Sequence, residues 1–122
     1  MCILLVEDEC LIRMVIAEEL VEGGFAVCEA EDGDQASALI ARDPGAYTLL
    51  VTDIHMPGSL DGIAVARLMQ AQCPGVPVIY TTGRPDALNH LLPFGPMEIL
   101  LRKPFALSDL LATARQLLGR SQ

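Results

Sequence analysis

The chain has 122 residues, 52% of them hydrophobic, and carries 16 acidic against 8 basic side chains for a net charge of −8. That length suits one domain, residues 1–122, able to bury most of the surface its unfolded form exposes, and the apolar content excludes a disordered tail. The charge excludes a nucleic-acid face, which needs clustered Lys and Arg, and no apolar stretch reaches the roughly 18 residues that span a bilayer.

In chain order, Ile3-Leu4-Leu5-Val6 is a continuous apolar run that leads into Glu7-Asp8-Glu9. Such a run is the pattern of a strand covered on both faces, as in parallel sheets flanked by helices. Residues 9–22 set Leu11, Ile12, Val15, Ile16 and Leu20 at helical spacing against Arg13, Glu18, Glu19 and Glu22, and Gly23-Gly24 stops the helix. Residues 25–29 form a second strand. Asp32-Gly33 turns the chain into a helix with Ala36, Leu39 and Ile40 inward, ended by Asp43-Pro44-Gly45. A third strand, 48–53, ends in Asp53. The loop from Met56 to Gly62 opens a helix carrying Val65, Leu68 and Met69 that closes near Cys73-Pro74-Gly75.

A fourth strand follows at 76–82, with Pro77 at its start, where a missing N–H is tolerated. The next helix must be short, because Pro85 precedes it and Pro93, Gly95 and Pro96 follow closely. A fifth strand, 97–101, leads into Lys103-Pro104-Phe105, and Leu107, Leu110, Leu111, Ala114, Leu117 and Leu118 give the last helix its apolar stripe. Alternation of this β-α-β kind, with right-handed crossovers, gives a doubly wound (βα)5 sheet of five parallel strands. In such sheets the ligand crevice lies at the carboxyl ends of the strands, so Glu7-Asp8, Asp53 and Lys103 would meet there.

No basic n-region precedes Ile3, so a secretory leader is not expected. The four cysteines, Cys2, Cys10, Cys28 and Cys73, show neither C-x-x-C nor metal-ligand spacing. They point to free thiols in a reducing cytoplasm, with Cys2 and Cys28 on adjacent strands the one pair to check for a redox role.

The motifs L-L-V-E-D-E (4–9), V-T-D-I-H-M-P (51–57), D-G (61–62), T-T-G (81–83) and K-P-F (103–105) resemble the receiver domain of bacterial two-component response regulators along the whole chain. The resemblance implies the flavodoxin-like receiver fold, with strand order 2-1-3-4-5. It implies that Asp53 takes a phosphoryl group from a histidine kinase or phosphotransfer protein. Asp8 would bind Mg²⁺ directly, Glu7 through water, and Asp53 and the backbone carbonyl of His55 would complete the protein's ligands. Thr82 and Lys103 would contact phosphoryl oxygens, joined by the N–H of Gly83. The output would be contact with a downstream protein target or output domain, without direct contact to nucleic acid or membrane. A stand-alone regulator and the receiver piece of a hybrid kinase both fit.

The residue chemistry leads the same way. Three carboxylates about 4 Å apart repel by roughly 4 kcal/mol per pair at an effective dielectric near 20, so the cluster calls for a cation. Mg²⁺ takes oxygen ligands and bridges carboxylates to phosphate. The bland alternatives are a helix-cap role for Asp8, a turn role for Asp53 and a solvated Lys103. His55 and Arg84 hold the places two residues after the acceptor and after the threonine, where they would tune the access of water; a loop arginine paired to a surface carboxylate and a surface His90 are the plainer readings. Leu100 stands where many receivers place an aromatic switch residue, so the segment 83–95 is expected to carry the response. The loop 57–61 is one residue longer than usual. The strand Y-T-T-G is similar to an alphaproteobacterial single-domain subgroup that reads F-A-T-G.

Two other classes share parts of the pattern. A flavodoxin-like FMN carrier wants Ser, Thr and backbone N–H groups after the first strand, where this chain offers three carboxylates that would repel the cofactor. A phosphohydrolase with an aspartate nucleophile resembles D-x-D, and Asp53-Ile54-His55 lacks the second carboxylate.

Overall fold

The apolar runs become the five strands of one sheet, and the amphipathic segments pack on its two faces. The computed structural model describes residues 1–83 and 95–119. Along the chain it has β1 (Cys2–Val6), α1 (Cys10–Glu22), β2 (Val27–Ala30), α2 (Gly33–Arg42), a 3-10 turn (Pro44–Ala46), β3 (Tyr47–Asp53), α3 (Gly62–Gln72), β4 (Val78–Thr82), β5 (Glu98–Arg102) and α4 (Leu107–Leu117). The short helix expected within 85–93, together with Arg84 and His90, lies outside the described residues.

All neighbouring strands are parallel, in the order β2-β1-β3-β4-β5. The order reverses between β1 and β3, which is where the ends of these two strands leave room for a ligand. Successive side chains alternate faces, so each strand feeds both cores. Leu4, Val6, Leu50 and Tyr80 pack with Ile40 of α2 and Val65 and Met69 of α3. Ile3, Leu5, Val51 and Ile79 pack with Ile16 and Leu20 of α1 and Leu110 and Ala114 of α4.

Side-chain caps start two helices: Asp32 accepts from the N–H of Gln35 at 2.7 Å, and Asp61 from that of Ala64 at 2.9 Å. The N-cap of α1 is instead Glu9, which makes no side-chain cap bond. The cap reading of Asp8 is therefore set aside.

Several expectations need correction. Ile16, Ala17 and Leu20 are the buried residues of α1, whereas Leu11 and Val15, expected inward, are 75% and 47% exposed. Apolar residues occur all round α1, so a stripe could be drawn along more than one face. Strand β2 starts at Val27, because the N–H of Phe25 is taken by the Leu20 carbonyl in the helix-ending turn. Strand β5 lies at the sheet edge and is half-buried, where full burial was expected.

The cysteines are free thiols. Cys2 precedes Ile3, the partner of Val27, so it sits diagonally from Cys28, the partner of Leu4. Burial, with Cys28 beside it, pushes the Cys2 thiol up to about 11. A thiol held protonated in this way is a poor nucleophile, which suits packing and not redox work.

Candidate functional site

The three charged clusters converge at the carboxyl ends of β1, β3 and β5. Asp53 ends β3, Glu7 follows β1, and Lys103 follows β5. The Lys103 ammonium lies 3.1 Å from Asp53 Oδ2 and 3.2 Å from Glu7 Oε1, with its side chain 22% exposed. A solvated Lys103 is therefore excluded. The N–H of Lys103 donates to the Thr82 carbonyl at 2.7 Å, which fixes the start of this loop to β4. The Lys103-Pro104 peptide is cis.

Glu7, Asp8 and Asp53 each bring a carboxylate oxygen within 4.8 Å of the other two. Glu7 is 1% exposed and Asp53 7%, with Asp8 the more accessible of the three. Glu7 Oε2 also accepts the N–H of Glu9 at 3.2 Å. Burial, with the Asp53 carboxylate nearby, raises the pKa of Glu7 despite the opposing N–H and ammonium. Burial alone would lower that of Lys103, but Asp53 and Glu7 outweigh it and raise it. Among the described residues, three carboxylates and one ammonium leave the pocket short of positive charge. An all-oxygen donor set of this kind suits a hard divalent ion such as Mg²⁺.

Thr82 is fully buried on β4, one residue beyond Thr81, the register partner of Asp53. Gly83 follows it at the exposed end of the strand. His55, two residues after Asp53, is half-buried, and its Nε2 is enclosed without a hydrogen-bond partner. Arg84 lies outside the described residues. The longer loop is tied down: Ser59 Oγ donates to Asp34 Oδ1 of α2 at 2.8 Å.

Two residues make contributions that the sequence reading did not assign them, Gly62 of the D-G motif and Arg13. A Cβ at Gly62 would overlap the Asp53 carbonyl, so glycine lets α3 start directly against the Asp53 backbone. Its N–H donates to the Ile54 carbonyl at 2.9 Å. Arg13 of α1 donates from Nη1 to the Glu7 carbonyl at 2.7 Å and from Nε to Glu29 Oε1 at 3.1 Å. The only sequence signal for it was an arginine five residues after Asp8 on a helix otherwise poor in cations. Beside Lys103 an apolar groove of about 590 Å³ opens to solvent, lined by Leu11, Ile12, Val15, Pro104 and Phe105 among others.

Comparison with known proteins agrees with this geometry. The family model of the response regulator receiver domain matches residues 3–115. The response regulator MprA of Mycobacterium leprae is 36% identical over 124 aligned residues, which cover all of this chain and 53% of that protein. The chain thus spans about half the length of the curated relatives it matches. Among solved structures, a response regulator receiver protein from Sinorhizobium medicae superposes with a TM-score of 0.88 at 31% identity, covering 98% of this chain and 95% of that one. The receiver domain of NtrX from Brucella abortus gives 0.82 at 32% identity, with 98% and 99% covered. This chain belongs to the response regulator receiver domain family of bacterial two-component systems.

Proposed function

We propose that the chain is phosphorylated on Asp53, with Mg²⁺ held by Glu7, Asp8, Asp53 and the His55 carbonyl, and that it then signals by protein contact. The observation that carries this reading is the cluster of Glu7, Asp8 and Asp53, with the Lys103 ammonium paired to Glu7 and Asp53.

In the reaction a carboxylate oxygen of Asp53 attacks the phosphorus of a phosphohistidine. The new P–O bond forms as the P–N bond breaks, and the imidazole leaves with the electron pair. Charge spreads over the equatorial oxygens, so the protein chiefly positions groups and neutralises charge. Lys103, already at 3.1 Å from Asp53, stands beside those oxygens, and the Thr82 hydroxyl and Gly83 N–H supply further donors. Bound Mg²⁺ would neutralise the carboxylates and draw the phosphoryl oxygens to Asp53. Arg84 and His55 would set how readily water reaches the product.

The donor is a histidine kinase or phosphotransfer protein in the cytoplasm, and the receiver of the signal is a protein target or output domain. The protein acts as a phosphoacceptor and not as a turnover enzyme. No helix among the described residues is long and apolar enough to cross a membrane. The test is mass spectrometry after incubation with Mg²⁺ and a small phosphodonor. The parent should gain one phosphoryl group and Asp53→Asn none, with the fold intact by circular dichroism. Labelling that persisted in the variant would refute the assignment. The same assay with a phosphorylated histidine kinase as donor tests the partner, and failure to transfer would count against it.

A further inference from the structure

The two peptide units on either side of Glu7 are pinned from behind, the one before it by β2 and the one that joins it to Asp8 by α1. The N–H of Glu7 donates to the Ala30 carbonyl of β2 at 3.1 Å. The carbonyl of Glu7 is held at 2.7 Å by Arg13 Nη1, while Arg13 Nε rests at 3.1 Å on the Glu29 carboxylate, also on β2. Arg13 is mostly enclosed, with 17% of its side chain exposed. Because a peptide group is planar, fixing the Glu7 oxygen fixes the plane that carries the Asp8 nitrogen and Cα. That plane sets where the Asp8 Cα stands, and so the point from which its side chain departs.

Without such a hold the acidic loop would relax away from its own charge. Three carboxylates lie within 4.8 Å of one another, and Asp8 is the one not covered by the core. We propose that Arg13, braced on Glu29, is a positioning residue that keeps Asp8 facing Glu7 and Asp53 and thereby sets the affinity of the pocket for a divalent cation. The proposal rests on the Mg²⁺ reading given above and adds a residue that never touches the ion. The fork of the guanidinium matters, since two donors in a fixed geometry reach two acceptors at once.

The sign of the effect separates this role from a bystander's. A positive charge near a cation site repels the cation, so deleting a mere neighbour would tighten Mg²⁺ binding. Deleting a positioning residue must weaken it. The experiment is calorimetric titration of the 122-residue chain with Mg²⁺, well below the unfolding temperature, for the parent, Arg13→Ala and Arg13→Lys. Arg13→Ala should bind about tenfold more weakly, the low end of what loss of an outer-shell partner costs. Arg13→Lys keeps the charge but loses the fork, and should fall between the two. Arg13→Ala binding as tightly as the parent, or tighter, would overturn the proposal. Should that variant fail to fold, Arg13→Lys decides: weaker binding at unchanged charge supports the role, and parent-like binding overturns it. A parent that binds no Mg²⁺ would defeat the Mg²⁺ reading itself, and the Arg13 role with it.

Discussion

Glu7 and Glu98 are both largely buried carboxylates at strand ends, and their surroundings differ in kind. Glu98 opens β5 with 10% of its side chain exposed. Around it stand the Gln70 amide, the Gly95 N–H at 3.4 Å, the Arg67 guanidinium at 3.8 Å and the Tyr80 hydroxyl. Its neighbours are donors, as buried charge requires. Glu7 also has two donors, Lys103 and the Glu9 N–H, but it shares the ammonium with Asp53 and faces two further carboxylates. A buried carboxylate is thus no sign of function by itself. The surplus of like charge at one end of the sheet is what calls for an ion.

The largest effect that would sharpen this contrast is on Mg²⁺ affinity. A direct ligand contributes more than one bridged by water, so Asp8→Asn should lose more affinity than Glu7→Gln, while Glu98→Gln should leave it unchanged. Titration calorimetry reads all three. If Asp8→Asn and Glu7→Gln both bound like the parent, the acidic pair would have a structural role only.

How much of this contrast was legible in the sequence depends on whether a residue's setting is local or distant. Asp53 and the Glu7-Asp8 pair each follow an apolar run, so the end of the strand named the site. Lys103 was readable in the same way, although it reaches Asp53 across the width of β4. Arg13 could not be found by pattern, because its partners, Glu29 and the Glu7 carbonyl, come from other elements. Leu11 and Val15 were misplaced because α1 is apolar on several faces. Nothing in the sequence links Tyr80 to Glu98, and it is the β4–β5 register, pairing Val78 with Glu98 and Tyr80 with Leu100, that brings them together. An aromatic ring therefore stands on β4 opposite Leu100. Burial, with Glu98 beside it, pushes its hydroxyl up to about 12.

A smaller effect distinguishes the two carboxylates by the sign of their stability change. The folded-state pKa of Glu7 is raised above its ordinary 4.5, so the protonated form is the one the fold favours. Its contribution to stability is fully present below about 4.5 and is lost as the pH rises through the raised value. With Mg²⁺ chelated at neutral pH, Glu7→Gln should therefore unfold at a higher temperature than the parent, and the gap should close as the pH falls below that window. Glu98→Gln should instead lower stability by about 1 kcal/mol, because donors built around a carboxylate lose a full partner. Thermal unfolding followed by circular dichroism measures both. Shifts of the same sign would mean that the two sites are alike after all.

The most direct test of the charge surplus is the unfolding temperature of the parent as Mg²⁺ is added to chelator-treated protein. An ion bound only by the folded state stabilises it in proportion to the logarithm of its concentration above Kd. The parent midpoint should rise steadily through millimolar Mg²⁺, and that of Asp8→Asn should barely move. A parent midpoint that stays flat across that range, or one that rises equally in Asp8→Asn, would contradict the account.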